Sequence, residues 1–532
     1  MSSPFTGTRH LVRLVLRRDR LRLPLWVVGL GGMIAASALA VPPIYDTPAK
    51  VAGYARAVGT SPVSYLMSGR QAAVDTLGGI VANEISQVAQ LGICLMVLFL
   101  VVRHTRAEEE SGRAELLRST VLGRHAATLA GLLYGAAAAL ALGAITTGAM
   151  LAAGLDVLGS VTYGAGLTLL GLCYVAVSLV TVQLATSARG ALGLAGAAIA
   201  VGYLVRGVGA VQGSALVWAS PFGWAQEMDA FGAERWWPAL LLGALTAALL
   251  ALAGWLTAHR DFGSGVLPAR PGPPRAARSL GTPVGLVLRL QRGLLIGWAV
   301  GLTALGLLYG AIVPTIPELV ASNPDVAEAI GASAGAEQAL VEAFLAYAFS
   351  FMAVLLTGFV IASVLRLRSE EESARSEALL ATRVRRSSWL GAFVLVAGSG
   401  ALALSVLMGS GLALAYGVST GDWDEAAAHV GSQLGYLPGV LLVAALAVVI
   451  TAVLPRRSVL AWVAVAVVVL QLLLSQPLRL PGWVDALSPF THLARLPVEP
   501  FDAEAVAVQL LLTAGLVALG VWTYSRRDVV AG

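Results

Sequence analysis

The chain has 532 residues, of which 57% are apolar and only 12% charged, and its mean hydropathy is +0.80. Soluble domains carry roughly a quarter charged residues, which excludes a soluble enzyme, a disordered scaffold and a disulfide-stapled secreted domain. The net charge of +5 rests on arginine, because Lys50 is the only lysine. The arginines cluster in short segments between apolar stretches, a topology signal and not a nucleic-acid stripe.

About 20 apolar residues cross the hydrocarbon core of a bilayer. Runs near that length occur twelve times, at 23–44, 80–102, 126–154, 161–186, 190–212 and 238–258 in the first half. The second half has them at 293–314, 342–365, 389–416, 431–454, 458–476 and 505–524. Arg9, Arg13, Arg17, Arg18, Arg20 and Arg22 precede the first run and place the N-terminus in the cytoplasm. Alternation then puts Arg103 to Arg124, Arg189, Arg260 to Arg289, Arg366 to Arg386, Arg456 with Arg457, and Arg526 with Arg527 on the same side. The expected fold is an all-α polytopic protein of the plasma membrane with both termini cytoplasmic. A signal peptide is the competing reading of the first run, but the run is too long and Pro42-Pro43 with Tyr45 makes a poor cleavage site. Cys94 and Cys173 lie inside apolar runs, so no disulfide framework or cysteine metal site is expected.

The chain repeats itself. Glu108-Glu109-Glu110-Ser111 recurs as Glu370-Glu371-Glu372-Ser373, and at the same 262-residue offset nine of seventeen positions agree, among them Arg113, Glu115, Leu117, Thr120 and Arg124 with Arg375, Glu377, Leu379, Thr382 and Arg386. Arg17, Arg20, Trp26, Gly29 and Leu30 match Arg289, Arg292, Trp298, Gly301 and Leu302. Ser220-Pro221-Phe222 matches Ser488-Pro489-Phe490, and Arg260-Asp261 matches Arg527-Asp528. The reading is two tandem six-helix units of parallel orientation, 1–262 and 289–532, joined by a proline-rich linker at 263–288.

In the duplicated segment, Glu109 with Arg113 and Glu371 with Arg375 are spaced as i,i+4 pairs on a helix, and Ala114, Leu117 and Val121 give a narrow apolar stripe. A topology anchor explains one such loop; its recurrence points to a contact surface used twice by a symmetric partner. Polar residues inside apolar runs are a second set of candidates. Glu84 lies 19 residues before Arg103, hence roughly 28 Å up its helix, and Arg206 lies roughly 24 Å up another. Their shared depth predicts either snorkelling to the interface or a pair lining a substrate cavity, with Gln87, Gln90, Tyr203, Tyr347 and Gln471 as further candidates. Residues 213–237 are too polar to span and rich in tryptophan. They read as an interfacial or re-entrant helix pair, with Pro221, Phe222 and Trp224, and the counterparts Pro489 and Phe490, as an outer gate or an aromatic belt.

The acidic triplet, Gly112, Glu115, Leu116 and Leu117, echoed by Glu377 and Leu379, resembles the cytoplasmic coupling segment of type 2 ABC export permeases, Glu-x-x-x-Gly-Thr-x-Glu-x-Leu-Leu. Ala374 stands for the glycine in the second copy, and Arg113 and Arg375 for the threonine. The N-terminal Arg-Arg-Asp-Arg before Leu-Pro-Leu-Trp looks like that family's amphipathic elbow helix. The fused layout with Ser-Pro-Phe-Gly-Trp resembles actinobacterial exporters of polyketide antibiotics such as tetronasin. The resemblance implies coupling roles for Glu108, Glu109, Glu110, Arg113, Glu115, Leu117, Glu370, Glu371, Glu372, Arg375, Glu377 and Leu379. It further implies a homodimeric ATP-binding partner, two copies per chain, that carries the ATP and magnesium, and a cargo that is bulky and amphipathic.

Lys50 follows Ala49 and precedes Val51, so it cannot serve a Walker A loop, and no His-x-x-x-His pair occurs. The chain therefore reads as a non-enzymatic permease with no cofactor or metal of its own. The rival readings are an ion- or proton-coupled secondary transporter, a lipid- or glycolipid-exporting ABC permease, and a membrane enzyme acting on lipids. The second copy of an acidic cytoplasmic helix has no role in the first, and the last should show clustered His, Asp or Glu at one leaflet.

Overall fold

The computed structural model describes residues 3–528 other than 60–61, 71–72, 114, 116–121, 262, 267–274, 315–335, 479–482 and 484–485, and their side chains apart from those at 57, 62–63, 336–337, 470 and 473–478. Every regular element among them is helical. Among the described residues eleven helical stretches are long and apolar enough to cross a membrane, Trp423–Val453 counted as one, and they fall on eleven of the twelve apolar runs. The remaining run, 458–476, falls on the helix Ala461–Leu478. The chain is a polytopic all-helical membrane protein. Its backbone divides into two compact units, Met1–Gly272 and Pro273–Gly532.

The first unit opens with α1 (Thr8–Arg18), which places Leu11, Leu14, Val15 and Arg18 on one face at helical spacing. A turn at 19–21 separates it from α2 (Arg22–Ala40). Pro24 sits in the first turn of α2, where a missing N–H is tolerated, and there it prevents α1 and α2 from fusing. Two short helices, α3 (Pro48–Val58) and α4 (Pro62–Ser68), lead to α5 (Leu77–His104), whose apolar residues are buried on nearly every face. Next come α6 (Arg106–Glu110), α7 (Ala126–Ala152), α8 (Val157–Leu184), α9 (Ala188–Gln212), the short α10 (Pro221–Gln226) and α11 (Trp237–His259). Side-chain oxygens of Thr76, Asp156 and Ser187 accept the free N–H groups that open α5, α8 and α9. The helices α7 and α8 approach through small residues: a Cβ on Gly143 would lie 1.9 Å from Thr168 Oγ1.

The second unit begins at Pro273. Its first helix, α12 (Pro283–Ile312), runs unbroken for 30 residues through the position of the α1–α2 turn. It is followed by α13 (Ala336–Glu372), α14 (Arg375–Leu380), α15 (Arg386–Thr420), α16 (Trp423–Gly435), α17 (Leu437–Val453), α18 (Ala461–Leu478) and α19 (Ala503–Arg526). The run at 431–454 begins earlier than its hydropathy suggests, at Trp423, and is interrupted at Tyr436 because Pro438 cannot donate to the preceding turn.

Candidate functional site

The acidic segments lie at the ends of the long helices α5 and α13, and each is held by buried arginines. Arg106 Nη1 donates to Glu109 Oε2 at 2.6 Å, and Arg260, just past α11, reaches the same carboxylate with Nη2 to Oε1 at 2.7 Å. Arg106 also donates to the carbonyls of Ser264 and Gly263 at 2.9 and 3.1 Å. The second unit repeats the arrangement: Arg368 Nη1 lies 3.3 Å from Glu371 Oε2, and Arg527, just past α19, donates to Glu371 Oε1 at 2.7 Å. Each clasp therefore ties an acidic segment to the end of its unit's last long helix, across more than 150 residues of chain. Arg106 and Glu371 are 1% and 0% exposed, so each charge is stable only while its partner remains.

The expected pairs of Glu109 with Arg113 and Glu371 with Arg375 do not form. Arg113 Nε instead donates to Glu108 Oε2 at 2.9 Å, and Arg375 Nε to Glu370 Oε2 at 2.6 Å. The helix ends one residue earlier than i,i+4 spacing requires, at Gly112 with φ 73° and at Ala374 with φ 57°. A left-handed residue there folds the arginine back one position further. Glycine takes this conformation freely, whereas alanine at the second site bears a cost on the order of 1 kcal/mol. Hydrogen bonds and charge from Glu108 and Glu370 raise the affinity of Arg113 and Arg375 for their protons. Glu110 Oε2 accepts the backbone N–H of Ala188 at 2.9 Å, placing a carboxylate at the positive end of α9. Glu372 pairs with Arg368 at 3.1 Å. Glu115 and Glu377 are exposed and Leu379 is half-buried, while Ala114, Leu117 and Val121 lie outside the described residues.

A second ionic cluster lies beneath α1 and is absent from the expectations above. Asp19, wholly buried in the α1–α2 turn, faces His104 Nε2 at 2.6 Å and accepts from Tyr134 Oη at 3.2 Å, with Arg103 Nε at 3.4 Å. Burial pushes the Asp19 carboxyl up, but the hydrogen bond and charge of His104, with Arg103 and Tyr134, outweigh it and hold it below the ordinary carboxylate value. The sequence did hold one signal: Asp19 is the only acid among the first 22 residues. Arg18 pairs with Glu108, so the elbow helix is also joined to the acidic segment.

The structure does not bring Glu84 and Arg206 together. Glu84 is exposed and accepts from Tyr54 Oη at 2.6 Å, which in turn accepts from Asn83 at 2.8 Å. Arg206 is 0% exposed, which also excludes snorkelling; it donates to the carbonyl of Met67 at 3.0 Å at the end of α4 and lies 4.2 Å over the Tyr203 ring. Equal depth fixed neither residue's direction around its helix. Tyr203 Oη donates to the same Met67 carbonyl. Gln90 is buried beside Tyr163, Gln87 and Gln471 are half-buried, and Tyr347 is exposed and stacks on Phe351.

Within the aromatic segment Phe222 packs inward, while Trp236 and Trp237 stay exposed. Ser220 opens α10 and donates to Gly202 O at 2.6 Å, while Phe222 is fully buried between Tyr174 and Tyr203. Pro221 occupies the first turn, and Trp224 Nε1 donates to Trp218 O at 2.7 Å. In the second unit Pro489 and Phe490 are buried, and Gln509 Nε2 donates to Pro489 O at 2.6 Å.

A chain of long apolar helices whose ionic residues concentrate in matched segments at the helix ends is a membrane permease. The C-terminal domain model of the multidrug efflux system permease Rv1217c matches residues 280–525. The chain is also 36% identical over 529 residues, 99% of its own length and 96% of the relative's, to the multidrug efflux system permease protein Rv1217c of Mycobacterium tuberculosis (strain ATCC 25618 / H37Rv). It belongs to this family of efflux system permeases.

Proposed function

We propose that the chain is the membrane subunit of an ATP-driven exporter that moves bulky amphipathic compounds, drugs or antibiotics of the polyketide class, out of the cell. The observation that carries this is the duplicated clasp. Two acidic segments of matched sequence are held in matched geometry at helix ends, Glu109 by Arg106 and Arg260, Glu371 by Arg368 and Arg527. Two equivalent surfaces suit a partner with two-fold symmetry, and a homodimeric ATP-binding subunit carrying ATP and magnesium is such a partner. Arg113, Glu115, Arg375 and Glu377 are exposed and face outward for that contact. In this reading both termini are cytoplasmic, twelve helices form two repeats, and the tetronasin-type exporters are the nearest functional class. The name of the Mycobacterium tuberculosis relative supports a drug-like cargo.

The test is reconstitution. Purified chain in proteoliposomes should hydrolyse no ATP alone, and should gain both hydrolysis and drug efflux when a separate ATP-binding subunit is added. Substantial hydrolysis by the chain alone, or efflux driven by a proton gradient without ATP, would overturn the proposal.

A further inference from the structure

A cavity of about 300 Å³ opens in the first unit between α1, α6, the start of α7 and the end of α11. At ~30 Å³ per water this is room for a headgroup and not for a whole lipid. One wall is apolar, built by Leu11, Leu14 and Val15 of α1 against Ala126, Ala127 and Ala130. The other is ionic, with Arg18, Arg124 and Arg260 beside Glu108, Glu109 and Asp261.

The ionic wall still has donors to spare. Both oxygens of Glu108 are taken by Arg18 and Arg113, and both oxygens of Glu109 by Arg106 and Arg260. Among the lining residues three guanidiniums stand against three carboxylates, so what can favour an anion is unused guanidinium N–H groups and not net charge. Arg18 gives one nitrogen to Glu108 and Arg124 gives one to the Ala258 carbonyl at 2.7 Å. Both keep further N–H groups with no protein acceptor among the described residues. A site with spare guanidinium donors on one side and leucines on the other selects an anionic amphiphile.

Its surroundings name the source. Leu14 and Leu16 of α1 are each 46% exposed, and Leu21 and Leu25 beyond it are 75% and 74% exposed. A short arginine-rich helix with exposed leucines on it and just beyond it suits a bilayer interface, where anionic lipids concentrate around basic side chains. We propose that this cavity binds the phosphate headgroup of an anionic membrane lipid, with the acyl chains leaving past the α1 leucines, so that a lipid bridges the elbow helix and the acidic segment. Such a lipid site would serve the chain whatever energy source drives export.

The probe is short-chain phosphatidylglycerol added to the detergent-purified full chain, with retention read by native mass spectrometry. Phosphatidylcholine of the same chain length and inorganic phosphate are the comparison arms. Phosphatidylglycerol should be retained at least tenfold better than phosphatidylcholine, and Arg18→Gln with Arg124→Gln should weaken it by about tenfold or more. Arg124→Gln alone, at an exposed residue, keeps the test informative should the double variant aggregate, and should give a smaller loss of the same sign. Equal retention of the two lipids, undiminished retention by both variants, or full displacement by millimolar inorganic phosphate would each overturn the proposal.

Discussion

The two units hold the same glutamates but support them differently at the membrane edge. In the first, Pro24 breaks the leading helix in two, and the turn buries Asp19 against His104 and Tyr134. In the second, Ile296 stands at the proline's position and Gln291 at the aspartate's, the helix runs through, and Gln291 exchanges hydrogen bonds with Ser363 at 3.1 and 2.5 Å. The remaining change follows from these. Arg366 stands at the position of His104 and pairs with Glu370 at 2.8 Å from within the same helix, whereas Glu108 draws its matching arginine, Arg18, from the elbow. A separate elbow can be ionically fastened to the acidic segment; a continuous helix needs no such fastening. The first unit thus has two levers on its acidic segment, the elbow and the last helix, where the second has the clasp and its own helix alone.

The largest expected effect comes from the part the units share. Glu371→Gln leaves Arg527 without its carboxylate in a site where the glutamate is fully buried, and should cost about 3–5 kcal/mol in thermal unfolding of the purified chain. Glu109→Gln should cost less, because Glu109 is 13% exposed and Arg106 keeps the Gly263 and Ser264 carbonyls. Equal losses would show that the clasps are not graded by burial. Next in size is the helix break: Ile296→Pro should destabilise by about 3 kcal/mol, since the ring removes a hydrogen bond in mid-helix, while Pro24→Ala should change stability by less than about 1 kcal/mol. A mild Ile296→Pro would mean that α12 is already divided there.

Smaller still is Asp19→Asn, which should cost about 1–3 kcal/mol at neutral pH by leaving the buried His104 ring facing an amide. The sign of its pH dependence follows from the lowered carboxyl. A group depressed on folding stabilises fully above its unfolded value, near 3.9, and that stability is lost as pH falls through the lower folded value. Unfolding midpoints measured from pH 7 down to 3 should therefore fall less steeply on the acid side in the variant than in the parent. Parallel curves would remove Asp19 from the acid response.

How much was legible differs residue by residue. The spans and the repeated acidic segments were readable because hydropathy and a 262-residue offset are properties of the chain itself. The partner of each glutamate was not, because it depends on a single left-handed residue, and Ala374 gives no hint that it adopts φ 57°. Arg260 and Arg527 were visible as repeat anchors, but their role needed contacts across more than 150 residues. Glu84 and Arg206 share a depth, and depth alone carries no information about which neighbour a helix face meets.

The central claim is that the two clasped segments form two equivalent docking surfaces. Native mass spectrometry of the chain mixed with the proposed ATP-binding subunit measures this directly. The account predicts two ATP-binding subunits per chain, with Glu109→Lys plus Glu371→Lys abolishing the assembly while the chain still inserts into membranes. One ATP-binding subunit per chain, or an intact complex in the double variant, would contradict it.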